Sequence, residues 1–317
     1  MTVTTDVAVA VALLTKGQLC AIPTETVYGL AANALDVQAV ARVFEAKDRP
    51  LDHPLIVHVE TATDAMQWIT HLPQWAITLT QQVWPGPLTI VGNRTELASD
   101  AVTGGQDTVA VRVPSHPVAQ EVLRELKAVG VLGLVAPSAN RFGHVSPTSA
   151  EHVVADLGQY LIAHQDGILD GGECEVGLES TIVLATSEIP VILRPGAITA
   201  DDILRIAGVA VADSLTEAPR VSGALDSHYS PKAKVVLVTE LSEITELNAG
   251  LLAMAEITTP LGVNRLAAPI NLEAFAHELY AALRFGDDLG LEIIYVVSPT
   301  GAGLAQAIND RLQRAAF

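Results

Sequence analysis

With 317 residues, half of them hydrophobic and only 4% aromatic, the chain is long enough for one large unit and a small one, cored by Ala, Val, Ile and Leu. Its 36 acidic against 18 basic residues leave a formal charge of −18, and no run of cations forms a basic tail. A free-standing RNA-binding module is therefore disfavoured, because long-range repulsion opposes a polyanion. Two cysteines, Cys20 and Cys174, make neither a disulfide framework nor a zinc pattern. The apolar runs fall short of the ~20 residues a membrane span requires, and Asp6 precedes the first of them with no basic start. A soluble, cytoplasmic protein with no membrane association is expected.

In chain order, periodicity predicts helices at Val7–Leu14, Gln38–Ala46, Ala62–Ile69, Trp75–Val83, Pro117–Leu126 and Ser149–Leu157. Between and after them, β-rich runs predict strands at Leu19–Ile22, Leu55–Val59, Leu88–Val91, Val109–Val113, Leu132–Ala136, Ser180–Leu184 and Val191–Leu193. Thr199 caps a closing helix to Ala207, with Asp201 and Asp202 in its first turn. This alternation reads as one α/β unit over residues 1–207 with a twisted mixed sheet. Residues 208–233 read as a linker, since Asp213 to Lys234 lacks periodicity. A small Rossmann-like α/β unit over 234–317 follows, with strands at Val235–Val238 and Ile293–Val297 and helices at Leu272–Arg284 and Gly303–Arg314.

Several polar residues interrupt apolar strands. The run Leu19–Ile22 stops at Pro23 and opens into Thr24, Glu25 and Thr26, three side chains that need a ligand or each other. Lys47 and Arg49 stand two apart, and Arg49 precedes Pro50, which disfavours helix there. In an extended segment both would point the same way and form a phosphate site; the alternative is a solvated helix end. Ser138 and Asn140, after Pro137, are a second polar pair that alone would read as a turn. Arg112 lies in the apolar strand TVAVRV and requires an anion, either an internal carboxylate or a ligand, with Thr108 on its side at i, i+4. No Walker P-loop and no complete dinucleotide fingerprint occur; Gly301-Ala-Gly303 reads as a strand-to-helix turn.

Four segments together, Cys20 to Val59 with PTETVYGL and K-x-R, Ala136 to Ser149 with S-x-N, Gly177 to Val183 (GLESTIV) and Ile192 to Ile198 (ILRPGAI), resemble the YrdC-domain family. LYAALRFGDDLG and GLAQAINDRLQRAA resemble the accessory domain of its long two-domain form, the threonylcarbamoyl-AMP synthases, so the resemblance covers almost the whole chain. It implies a nucleotidyltransferase that condenses L-threonine, bicarbonate and ATP, with Mg²⁺ on the phosphates and no metal held by the protein itself. The product would pass to a separate transferase making N6-threonylcarbamoyladenosine in tRNA. Carried over residue by residue, Lys47 and Arg49 would serve catalysis, and Thr26, His58, Arg112, Ser138 and Ser180 would hold threonine. Arg49, His53, Thr108, Asn140, Thr148, Arg194 and Tyr229 would bind ATP, Tyr229 from a linker element H-Y-S-P that closes the cleft as a lid. His53 departs from the Asn of many relatives, though imidazole still donates or accepts a hydrogen bond. Two rivals share the fold. Hydrogenase-maturation carbamoyltransferases carry acylphosphatase-like and zinc-finger segments that this chain lacks. An RNA-binding or ribosome-maturation factor would need a cationic concave surface.

Overall fold

The computed structural model describes residues 1–212, 218–223 and 228–317. Residues 213–217 and 224–227, both within the expected linker, lie outside the described residues. The first unit opens with β1 (Thr2–Thr4) and α1 (Val7–Thr15), capped by Asp6, which accepts from the Ala8 amide at 2.9 Å. Then come β2 (Cys20–Ile22), β3 (Gly29–Asn33), α2 (Val37–Lys47), β4 (Ile56–His58), α3 (Ala62–Ala65) and α4 (Gln74–Val83). β5 (Leu88–Asn93), α5 (Asp100–Thr103), β6 (Thr108–Arg112), α6 (Pro117–Ala128), β7 (Leu134–Val135) and α7 (Ala150–Ala163) follow. β8 (Gly167–Leu169), β9 (Thr181–Leu184), β10 (Val191–Arg194) and α8 (Ala200–Ala207) complete the unit. Its strands form one mixed sheet in the order β1-β8-β2-β3-β7-β4-β6-β5-β9-β10.

The sheet brings polar residues together through register. β4 runs parallel to β6 with His58 beside Arg112, and β5 runs antiparallel to β6 with Thr89 on the other side of Arg112. β9 lies parallel to β5, so Ser180 arrives at the same end, and Arg194 closes β10 there. Gly29, at the start of β3, bridges to Ser138. A Cβ at Gly29 would come within 2.9 Å of the Ala136 Cβ, so glycine permits this approach. β1, β3 and β8 are not among the predicted strands. β3 (GLAAN) holds no β-branched residue, and pairing to both β2 and β7 overrides its weak propensity. The predicted helix Ala62–Ile69 shrinks to Ala62–Ala65.

The second unit is a four-stranded parallel sheet, order β11-β14-β12-β13, built from β11 (Lys234–Val238), β12 (Gly250–Leu252), β13 (Asn264–Ala267) and β14 (Ile293–Val297). Helices α9 (Leu272–Asp288) and α10 (Leu304–Ala315) cover it, and Gly303, at φ 65, makes the expected turn into α10. β12 and β13, short and set among polar and Pro/Gly-containing stretches, were not predicted. The units share one apolar cluster in which Val27, Val145, Leu178 and Tyr229 pack with Phe275, Leu279 and Tyr280. Gly177, at φ +75, lets the backbones meet: a Cβ there would lie 2.5 Å from the Cα of His277. No helix among the described residues is long and apolar enough to cross a membrane.

Candidate active site

Lys47 is the last residue of α2, not part of an extended segment; Asp48 caps the helix at φ 54 and turns the chain so that Arg49 follows on the inside. Both cations were expected to face an open cleft, and both are buried, at 1% and 7% exposure. Lys47 Nζ donates to the backbone carbonyls of Ser138 (2.5 Å) and Asn140 (2.6 Å), so the lysine itself ties the two polar pairs together. Arg49 Nη2 donates to Pro54 O at 3.0 Å and Ser222 Oγ at 3.1 Å, and its guanidinium stacks over Phe142. Arg194 donates through Nε and Nη2 to Ser180 O, through Nη2 to Ser180 Oγ, and through Nη1 to Ser222 O.

Among the described residues none of these three cations has a carboxylate within ion-pairing distance. Burial, then the charge of Arg49, pushes the Lys47 ammonium well down. Burial brings Arg49 down to about 10, with Arg194 adding repulsion, and burial lowers Arg194 as well. Each of these groups is held against its preference for water and against its neighbours' charge. An anion with several oxygens would relieve all three.

The residues expected to hold threonine adjoin them. Arg112 Nη1 donates to Thr26 Oγ1 at 2.8 Å, Thr26 Oγ1 lies 2.9 Å from Thr24 Oγ1, and Arg112 Nη2 pairs with Glu25 at 2.7 Å. The internal carboxylate left open by the sequence is thus Glu25. His58 is fully packed, with Nδ1 at 3.1 Å from Ile56 O; burial, then the Arg112 charge, drops it to about 3, so the imidazole is neutral. Ser180 Oγ lies 2.7 Å from Thr89 Oγ1. The half-buried Ser138 meets Gly29 beside this cluster.

The remaining expected ATP contacts are spread more widely. Thr108, at the far end of β6 from Arg112, lines a narrow crevice with Pro54, Ile56, Val91, Ala110 and Val221. Asn140 is buried with its amide donating to Arg141 O and His144 O; its Oδ1 has no partner among the described residues. His53 stands edge-on to Phe142 at 5.2 Å, its pKa lowered by burial and then by Arg49. Thr148 turns to His152, and no contact among the described residues joins it to the cations. Tyr229 lies close enough to Arg49 and Arg194 to act electrostatically on both. It sits at φ 63, 1% exposed, stacked on Tyr280 at 5.6 Å with Arg311 over its ring. Residues 218–223 of the same linker lie against the cations: Ser222 binds Arg49 and Arg194, and Val221 shares an apolar cluster with Ile56, Val91, Ala110 and Ile182.

Sequence reasoning assigned no role to Thr89, Phe142, Glu179 or Ser222. Thr89 was discoverable as a lone hydroxyl in the apolar run LTIV. Ser222 was not, because it comes from the aperiodic linker. No group of three or more His, Cys, Asp or Glu side chains that could hold a metal occurs among the described residues.

Comparison with known proteins now applies to this geometry. A family described as telomere recombination, grouping Sua5, YciO and YrdC proteins, matches residues 12–196, and the threonylcarbamoyl-AMP synthase C-terminal domain matches 198–317. Threonylcarbamoyl-AMP synthase of Pyrococcus abyssi is 36% identical over 98% of this chain and 93% of its own length. That of Bacillus subtilis is 37% identical over the same shares. The crystal structure of P. abyssi Sua5 complexed with L-threonine superposes with a TM-score of 0.86 at 33% identity, covering 99% of this chain and 97% of that one. With both units matched in order and nearly end to end, the chain belongs to the Sua5, YciO and YrdC family in its two-domain, threonylcarbamoyl-AMP synthase form.

Proposed function

We propose that this chain is a nucleotidyltransferase that condenses L-threonine, bicarbonate and ATP to threonylcarbamoyl-AMP and pyrophosphate. The observation that carries this reading is the buried set Lys47, Arg49 and Arg194, without a carboxylate partner among the described residues, beside the buried polar cluster of Thr26, His58, Arg112 and Ser180. A triphosphate meets the first and an amino acid the second. The amine of threonine becomes a carbamate, whose oxygen attacks the α-phosphate while pyrophosphate leaves. No covalent nucleophile is needed: both cysteines are buried with thiols pushed up to about 12 by burial, and His58 is neutral. The protein contributes position, fixed positive charge and exclusion of water from a hydrolysable acyl-adenylate.

The adenosine would extend from Arg49 along the crevice to Thr108, taking the place of Val221, so residues 218–223 lift for ATP to enter. The donor set suits Mg²⁺ carried on the phosphates, since the nearby carboxylate Glu179 is committed to Arg311, Ser146 and Tyr280. Mg²⁺ would neutralise phosphate charge there. We place the reaction in the cytoplasm and the product's use in a separate tRNA-modifying transferase. The RNA-binding alternative is disfavoured by the formal charge of −18, which repels a polyanion at long range.

Pyrophosphate release should require ATP, threonine and bicarbonate together. Equal release with threonine omitted would overturn the assignment.

A further inference from the structure

Glu25 is 2% exposed in the loop between β2 and β3, and its ion pair with Arg112 Nη2 spans 2.7 Å. That pair is not aligned as a hydrogen bond: Glu25 Oε1 and Oε2, and Arg112 Nε and Nη2, find no hydrogen-bond partner among the described residues. A buried carboxylate that ends in this state is costly, since permanent ones accept two or three bonds. Its companion Arg112 Nη1 is bound to Thr26. Two opposite charges therefore lie side by side at the amino-acid end of the site, poorly satisfied by each other. A free amino acid carries the same two charges on neighbouring groups.

We propose that Glu25 receives the α-ammonium of the amino-acid substrate, exchanging its internal partner Arg112 for it, and then takes up the proton set free when the amine is carboxylated. This rests on the functional reading above. The substrate carboxylate takes Arg112, the ammonium takes Glu25, and the internal pair opens into two external ones. With bicarbonate as the carbon source, the nitrogen forms a bond to carbon and the carbon–hydroxyl bond breaks. Of the two protons the nitrogen loses, one leaves with that hydroxyl as water and the other goes to Glu25. The sum R–NH₃⁺ + HCO₃⁻ + Glu–COO⁻ → R–NH–COO⁻ + H₂O + Glu–COOH is balanced in atoms and charge.

The other titratable groups around this carboxylate do not compete. His116, at the head of α6, is lowered by burial, and Cys174 is raised to about 12 by burial. Both are neutral near pH 7, as is His58 beside Arg112, and Glu175 acts on His116 in the same direction as Glu25 does.

The test uses the full chain and two ligands, L-threonine and 3-hydroxybutanoate, which keeps the carboxylate, hydroxyl and methyl but lacks the amine. In titration calorimetry Glu25→Gln should weaken threonine on the order of tenfold to a hundredfold and leave the deaminated analogue within about twofold. Threonine-dependent pyrophosphate release by Glu25→Gln should recover relative to wild type between about pH 7 and about pH 9, as solution supplies the neutral amine. Unchanged threonine affinity overturns the proposal. So does equal weakening of both ligands, which would leave Glu25 as a mere support for Arg112, or a deficit constant with pH. Glu25→Asp, read the same way, serves if the glutamine variant fails to fold. Absence of threonine binding by the wild type would instead strike the functional reading.

Discussion

Two buried arginine–glutamate pairs of opposite character lie in this chain. At the junction of the units, Glu179 accepts from Arg311 Nε at 2.9 Å, Tyr280 Oη at 2.9 Å and Ser146 Oγ at 2.6 Å, and Arg311 also reaches Pro195 O and Asp310. At the site, Glu25 and Arg112 touch without aligned bonds between them. The same residue types serve permanence in one place and exchange in the other. What separates them is how many lone pairs and N–H groups the surroundings satisfy.

The comparison is broken most forcefully by removing the cations. Arg311→Ala strands Glu179 inside the protein and should cost about 3–5 kcal/mol in denaturant unfolding. Arg112→Ala should abolish threonine binding with a smaller loss of stability, because Arg112 forfeits one hydrogen bond, to Thr26, where Arg311 forfeits three. Equal stability losses would show that the two pairs do not differ in kind.

Lys47→Met removes the donor of two backbone carbonyls and should lower stability by roughly 1–3 kcal/mol as well as synthesis. Arg49→Ala, anchored to Pro54 and Ser222, should reduce synthesis on the order of tenfold to a hundredfold with less effect on melting. Activity assays paired with melting curves separate these outcomes. A Lys47 variant that melts like wild type would return the lysine to a purely ligand-facing role.

Acid sharpens the contrast more gently. Burial alone would raise the Glu179 carboxyl, but Arg311, Arg194 and its hydrogen bonds overcome that and hold it at about 2, against an ordinary 4.5. A depressed carboxyl stabilises above its unfolded value, so this contribution is complete above about pH 4.5 and disappears as pH falls toward about 2. Glu179→Gln should flatten stability over that window, and an unchanged slope would deny Glu179 the role. The smallest effect is expected from His53→Asn. Because burial and Arg49 already keep the imidazole neutral, the amide should support synthesis within a few-fold at pH 7.

The helices were readable because their apolar period is long, as in α6 and α9. Strands of three to five residues such as β3, β12 and β13 carry too few positions for a period and exist through pairing. The site's cations stood out by type and by family resemblance, yet their burial did not, since K-x-R reads equally as a surface pair. Thr89 was legible as a lone hydroxyl, but only register sets it beside Arg112, and Glu179 gains its meaning only when Arg311 of α10 meets it. A cut near Ala207 would expose Val27, Val145 and Leu178, whose apolar partners lie in the second unit. Such a fragment should aggregate or melt early.

The position of Arg311 on the last helix has an electrostatic consequence. Glu179 lies within range of Arg194, one of the cations we propose for phosphate. Were Glu179 left alone, it would be the nearest counter-ion to that arginine and would compete with any incoming anion for it. By occupying Glu179, Arg311 acts as an insulator, keeping the protein's own acid from quenching the charge proposed to meet phosphate. The second unit thus tunes the potential of a site to which it need not add a contact.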